Sequence, residues 1–246
     1  NQRTDAWGGS LENRARIHLE IIKKCREEVG SDFAISIKMN SADFQKGGFS
    51  PEDSIQVAKL FSDSGIDNIE ISGGTYEQPR LLGLDKVSIN PKRSENRKES
   101  TIAREAYFLS YAEEIAKVVN IPLMVTGGFR TKEGMEAALR DGACEIVGVG
   151  RPLCANPYAI KELLSGQIDE LPKYEKTLSI GPWWLSPTSP FRLIQAINAF
   201  SAQAWFYQQI KKMGKGLMPD LNLKPWKAFR EDAKADQEAI KEYQNF

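Results

Sequence analysis

The sequence predicts a parallel α/β fold: a partial (β/α)8 barrel of about four parallel strands with a C-terminal helical extension. Three observations predict it. Short alternating apolar runs at 33–39, 68–72, 122–126 and 145–149 are separated by stretches of helical periodicity, the pattern of successive βα units. The last two runs each end in glycine where a helix should begin, at Gly127-Gly128 and at Gly150. Composition then shifts after residue 167, where Pro182, Pro187 and Pro190 surround Trp183-Trp184. Residues 1–166 are therefore assigned to half a barrel, and 167–246 to a helical extension packing on it.

Taken in order, residues 1–9 are polar and turn-rich, and read as a loop. Ser10 caps a helix running to about residue 29, with Gly30 as its stop. Leu11, Ala15, His18, Ile22 and Cys25 recur at helical spacing, and Ile21 widens that stripe. His18 reads as a packing residue with one hydrogen bond, because no acid, cysteine or second histidine lies at ligand spacing. In the first strand Phe33, Ile35, Ile37 and Met39 face the helices, while Ala34, Ser36 and Lys38 face the interior. Ser50-Pro51-Glu52-Asp53 opens the next helix with a cap, a first-turn proline and acids that suit the dipole. It ends near Gly65.

The second strand alternates in the same way, with Ile69 and Ile71 against Asn68, Glu70 and Ser72, and runs into Gly73-Gly74. Residues 75–100 turn polar and irregular, as in a lid, a binding element or a disordered segment. Thr101 begins a helix to about residue 119, burying Ala106, Leu109, Ala112, Ile115 and Ala116. A strand–helix–strand unit follows, with its helix over 131–140, and Asn156-Pro157 starts a short helix ending at Gly166. A long helix over 191–213 is ended by Gly214 and Gly216, and a charged helix over 227–243 closes the chain. Phe200, Trp205, Phe206 and Tyr207 read as packing aromatics, since no basic stripe accompanies them.

Composition narrows the function classes. With 33 basic and 33 acidic side chains, nothing points to nucleic acid or an anionic membrane as a partner. No apolar run approaches a membrane span, and the start is not a signal peptide. Cys25, Cys144 and Cys154 show no paired spacing, which suits a reduced, cytoplasmic setting. A single histidine argues against a histidine-based metal centre, so no metal is expected. Asn1 in place of methionine suggests a fragment, a processed product or a trimmed chain.

The chemistry gathers at the two glycine turns. Glycine lets backbone N–H groups approach a ligand closely, and a helix start adds partial positive charge. Arg151 adds a fixed positive charge, so the unit from 121 to 151 is expected to hold the phosphate of a cofactor. A tight βα connection is the plain alternative for these glycines. Lys38 faces the same way as Glu70 on the neighbouring strand, so an interior ion pair is open to it.

Several stretches resemble the old yellow enzyme family of flavin oxidoreductases, in its NADH oxidase-like branch. RTDAWGGSLENRARIHLEII is similar to the family's segment after the fourth strand. The run from ISIKMN through NIEISGG is similar to its fifth and sixth strands, and VTGGFRT and VGVGRPLCANP to its seventh and eighth. KGLMPDLNLKPW extends the resemblance into the C-terminal tail. The resemblance implies an eight-stranded barrel with FMN at its carboxyl face. It implies a catalytic role for Lys38, near the flavin N1–C2=O edge, and a phosphate grip of Gly127, Gly128, Phe129, Gly150 and Arg151.

The implied reaction is hydride transfer from NAD(P)H to FMN and on to the β-carbon of an activated alkene, with Tyr76 and its long loop as a substrate rim. The family's substrate-anchoring His/Asn or His/His pair, its proton-donating tyrosine and its first four strands would precede Asn1. The alternatives are a truncated, flavin-free relative with a repurposed role, and an FMN-independent barrel binding a sugar or nucleotide phosphate. Four parallel strands leave two edges open, so the missing N-terminal half or a second copy of the chain is expected as partner.

Overall fold

The computed structural model describes residues 1–43, 47–73 and 108–244. Tyr76, Gly74, Ala106 and the segment 75–100 lie outside the described residues. The rest divides into two compact units between Val149 and Gly150.

The first unit holds one four-stranded parallel sheet in the order β1 (Ser36–Asn40), β2 (Asn68–Ser72), β3 (Leu123–Thr126), β4 (Ile146–Gly148). Each strand pairs in parallel with the next, in the arrangement of consecutive strands of half a (β/α)8 barrel. Four helices accompany the strands among the described residues: α1 (Leu11–Val29), α2 (Pro51–Asp63), α3 (Leu109–Ile115) and α4 (Lys132–Arg140). Their starts follow from side-chain capping. Ser10 Oγ accepts from the Asn13 N–H at 3.3 Å, Ser50 Oγ from Asp53 at 3.1 Å, and Thr131 Oγ1 from Gly134 at 3.1 Å. Pro51 takes the first turn of α2, where its missing N–H costs nothing.

Alternation sorts each strand onto two faces. Ile69, Ile71, Leu123 and Val125 are fully buried against Ala58, Phe61, Leu109, Ala112 and Ile115. Each buried aliphatic side chain contributes about 1.5–3 kcal/mol, so this face carries much of the unit's stability.

At the start of the sheet one guanidinium joins three segments. Arg26, in the last turn of α1, donates to the carbonyls of Gly30, Phe33 and Gly65 at 2.8, 2.7 and 3.0 Å. It also donates to Asp67 Oδ2 at 2.5 Å, and the same oxygen accepts from the Ile35 N–H at 2.7 Å. The Ile35 N–H and then Arg26 hold the Asp67 carboxyl below the usual carboxylate range.

Several expectations need correction. Phe33 is 63% exposed, because β1 begins three residues later and Arg26 takes the Phe33 carbonyl. The buried stripe of α1 runs through Leu11, Ala15, Leu19 and Ile22, so Cys25 and Ile21 are exposed. His18 is exposed as well, its ring centroid 5.9 Å from that of Phe61. Ala116 caps α3 and is exposed.

The second unit is helical: α5 (Arg151–Ala155), α6 (Ala159–Leu164), α7 (Arg192–Met213) and α8 (Pro225–Gln244), with short 3-10 turns at Tyr174–Lys176 and Trp183–Leu185. Trp205 and Phe206 are buried as expected, meeting edge to face with ring centroids 5.1 Å apart, whereas Phe200 and Tyr207 are exposed. The Trp205 indole N–H donates to the Leu223 carbonyl at 2.9 Å. Gln209, fully buried, exchanges two hydrogen bonds with the backbone of Asp220, at 3.1 and 2.6 Å. This leaves its amide satisfied, as burial requires. Asn156 ends α5 instead of opening a helix; its Oδ1 accepts from the Tyr158 N–H at 3.0 Å, and α6 starts at Ala159. No described helix is long and apolar enough to cross a membrane.

Candidate cofactor site

The face of the sheet opposite the core is set out in rows, because parallel register places residues two apart on one face beside their counterparts. Ser36 Oγ donates to Asn68 Oδ1 at 2.7 Å. One row higher, Lys38 and Glu70 are register partners and form an ion pair, Nζ to Oε1, at 2.5 Å. The row continues into Met124 and Ile146. The ion pair weighed for Lys38 from sequence is thus formed. With the Lys38 side chain 56% exposed, the pair is worth about 0.2–1 kcal/mol to stability.

The top row lies at the carboxyl ends of the strands. Thr126 and Gly148 are register partners on β3 and β4. A Cβ at position 148 would overlap the Thr126 hydroxyl and come within 2.8 Å of Met124 Cε. Glycine therefore lets the Thr126 side chain lie across the neighbouring strand. The Thr126 Oγ1 atom is buried and has no hydrogen-bond partner among the described residues, and neither has Ser41 Oγ at the end of β1. Gly73, after β2, leaves room for the buried Phe108 ring: a Cβ there would lie 2.6 Å from Phe108 Cε1. Small residues and two orphaned hydroxyls thus mark this edge of the sheet.

After β3 the chain turns on Gly127 (φ 127°) and Gly128 (φ 95°), a region of backbone space that side chains disfavour. The Phe129 side chain is buried in the core, so only its backbone is left to meet a ligand. Arg130, which sequence reasoning passed over, is also buried, its Nη1 donating to the Phe129 carbonyl at 2.7 Å. The signal was its place directly after the glycine turn. Thr131 then caps α4.

Gly150 and Arg151 belong to the second unit, where Gly150 is the N-cap and Arg151 the first residue of α5. Arg151 Nη1 lies 3.9 Å from Glu175 Oε1, both side chains 21% exposed. Glu175 was not anticipated, since nothing in the spacing of two residues so far apart links them. Cys154, one turn on, has its thiol pushed up by burial, and Cys144 is pushed up to about 11 for the same reason. At Cys154 burial outweighs the nearby Arg151 charge, so neither thiol is held low as a reactive cysteine's is. Tyr76 lies outside the described residues.

Comparison with known proteins supplies the rest. The sequence profile of the NADH:flavin oxidoreductase / NADH oxidase family matches residues 1–170. The chain is 41% identical over 169 residues to an NADH-dependent flavin oxidoreductase of Hypocrea jecorina, across 67% of this chain and 39% of that protein. It is 33% identical over 219 residues to an NADH-dependent flavin oxidoreductase of Talaromyces variabilis, across 87% of this chain and 50% of that protein. Among solved structures, a 2-naphthoyl-CoA reductase in complex with 2-naphthoyl-CoA superposes with a TM-score of 0.56 at 31% identity, over 70% of this chain and 24% of that one. The chain spans half or less of the length of each of these relatives. Its match over most of its own length decides the assignment: this chain belongs to the NADH:flavin oxidoreductase / NADH oxidase family.

Proposed function

We propose that the chain is the phosphate-binding half of an FMN-dependent oxidoreductase of the ene-reductase type, which uses NAD(P)H to reduce an activated alkene. The observation that carries this reading is the top row of the sheet, where Gly148 admits the Thr126 side chain, the Thr126 hydroxyl is orphaned, and two positive-φ glycines follow. Such an edge fits a polar ligand approaching the backbone closely.

When bound, FMN supplies the centre that accepts and passes on hydride. The chain's own residues bind and bias it. In the first unit the backbone N–H groups of Gly127, Gly128 and Phe129 are the candidates for holding the phosphate, and in the second Gly150 and the Arg151 guanidinium are. Lys38 places positive charge where the reduced cofactor gathers negative charge. Each outer strand, β1 and β4, has a single neighbour among the described strands. Closure by an N-terminal half-barrel or by a second copy of the chain supplies the remaining wall. Three free thiols suit the cytoplasm.

The test is uptake of FMN, followed by absorbance and fluorescence quenching. The expected result is a yellow protein, which oxidises NADH in the presence of an α,β-unsaturated ketone once the half that closes the barrel is supplied. Arg151→Ala is expected to weaken FMN by about tenfold or more while leaving riboflavin, which lacks the phosphate, nearly unaffected. A colourless protein that takes up no FMN defeats the reading. It would favour a second one, a flavin-free relative with a repurposed role. The observation on that side is that Lys38 and Arg151 both already face carboxylates, Glu70 and Glu175.

A further inference from the structure

We propose that Glu70 is a positioning residue that lowers the reduction potential of the bound flavin by holding Lys38 and offsetting its charge. The inference rests on the reading above, in which Lys38 faces the cofactor. The two residues sit opposite each other on adjacent strands, with Nζ 2.5 Å from Oε1. A lysine stem is long and flexible, so without a partner its ammonium samples a wide volume. The carboxylate fixes where that charge stands.

The surroundings make Glu70 the residue with that hold. Its register neighbour on the other side is Met124, and the next in the row is Ile146, both apolar. Among the described strands, charge in this row therefore comes from Lys38 and Glu70. The Glu70 side chain is 19% exposed and that of Lys38 56%, so the carboxylate is the enclosed partner and the ammonium the one turned outward. An ion pair this exposed adds little to folding. Its electrostatic effect on a ligand over the row is larger, since charges near a protein surface act through an effective dielectric well below that of water.

A lone ammonium favours a cofactor that gains negative charge on reduction. A carboxylate held against that ammonium cancels part of the preference. Glu70 thereby makes the reduced cofactor a readier hydride donor, with Lys38 still orienting its pyrimidine edge.

The midpoint potential of the FMN-loaded protein tests this, measured by spectroelectrochemical titration for the native chain, Glu70→Gln, Lys38→Gln and the double variant. Glu70→Gln is expected to favour the reduced form by about tenfold, a rise of about 30 mV for a two-electron couple. Lys38→Gln is expected to shift the potential the opposite way, with the double variant between the two. Glu70→Asp keeps the charge but shortens its reach; it is expected to raise the potential by less, and it serves as the test if Glu70→Gln does not fold. A potential that moves with Lys38→Gln but stays put or falls with the Glu70 variants overturns the inference and leaves the functional reading standing. A protein that takes up no FMN, or one whose potential responds to neither residue, takes down the functional reading and the inference together.

Discussion

On one face of the sheet Ile69, Ile71, Leu123 and Val125 are sealed from water by the helices; on the other, Ser36, Lys38, Asn68 and Glu70 stand in polar pairs and Ile146 is 42% exposed. The same strands supply both faces, and the pleat alone separates them. Packing density decides what the first face tolerates. The second is governed by charge, hydrogen bonding and room for a ligand. Substitutions on the two faces should therefore fail in different ways: one in stability, the other in binding.

The largest effect is expected at the sealed face. Ile71→Ala should cost about 3 kcal/mol, read as a lower midpoint in chemical denaturation. A loss below about 1 kcal/mol would mean that the site collapses around the deletion and that the contrast is overstated. Next comes the top row. Gly148→Ala places a methyl group where the Thr126 hydroxyl lies and should cost about 1–3 kcal/mol. Because that row is the proposed cradle, FMN uptake should fall with it; a variant that loses stability and keeps full uptake would move the cradle elsewhere.

Much of the first face was legible in the sequence. Alternation of Ile69 and Ile71 with Asn68, Glu70 and Ser72 gave β2 its observed bounds, and Ser10, Ser50 and Gly30 gave the ends of α1 and the start of α2. The Lys38–Glu70 pair was legible too, since both lie on one face of neighbouring strands. Other features were hidden for physical reasons. Phe33 carries the apolar rhythm past the point where the backbone leaves the sheet to satisfy Arg26. Helix α5 was masked by Pro152, which suits a first helical turn as well as a loop. Glu175 beside Arg151, and the Thr126 hydroxyl over Gly148, depend on approaches between distant segments that local periodicity does not encode. The candidate site was therefore legible as glycines and cations, and illegible in the partners that hold them.

Smaller effects sharpen the comparison. The folded-state carboxyl of Asp67 is depressed below its ordinary 3.8. Its stabilising contribution is thus complete above that value and is lost as pH falls through the folded-state value. Acid denaturation of Asp67→Asn should accordingly show a shallower loss of stability below pH 3.8 than the native chain; identical acid profiles would remove Asp67 from the account. The smallest stability effect is expected at the open face itself. Lys38→Ala should change stability by no more than about 1 kcal/mol, measured by thermal melting without ligand. A much larger loss would make the ion pair a folding element and blur the line between the two faces.

The guanidinium of Arg26 has a mechanical consequence. By gripping the end of α1, the carbonyls before β1 and the carboxylate before β2, it turns three chain crossings into one hinge pin. None of these crossings can peel away without releasing the others. The Ile35 and Asp67 amides, each bonded within this knot, should therefore surrender their protons to deuterated solvent in step, and Arg26→Lys should quicken both together.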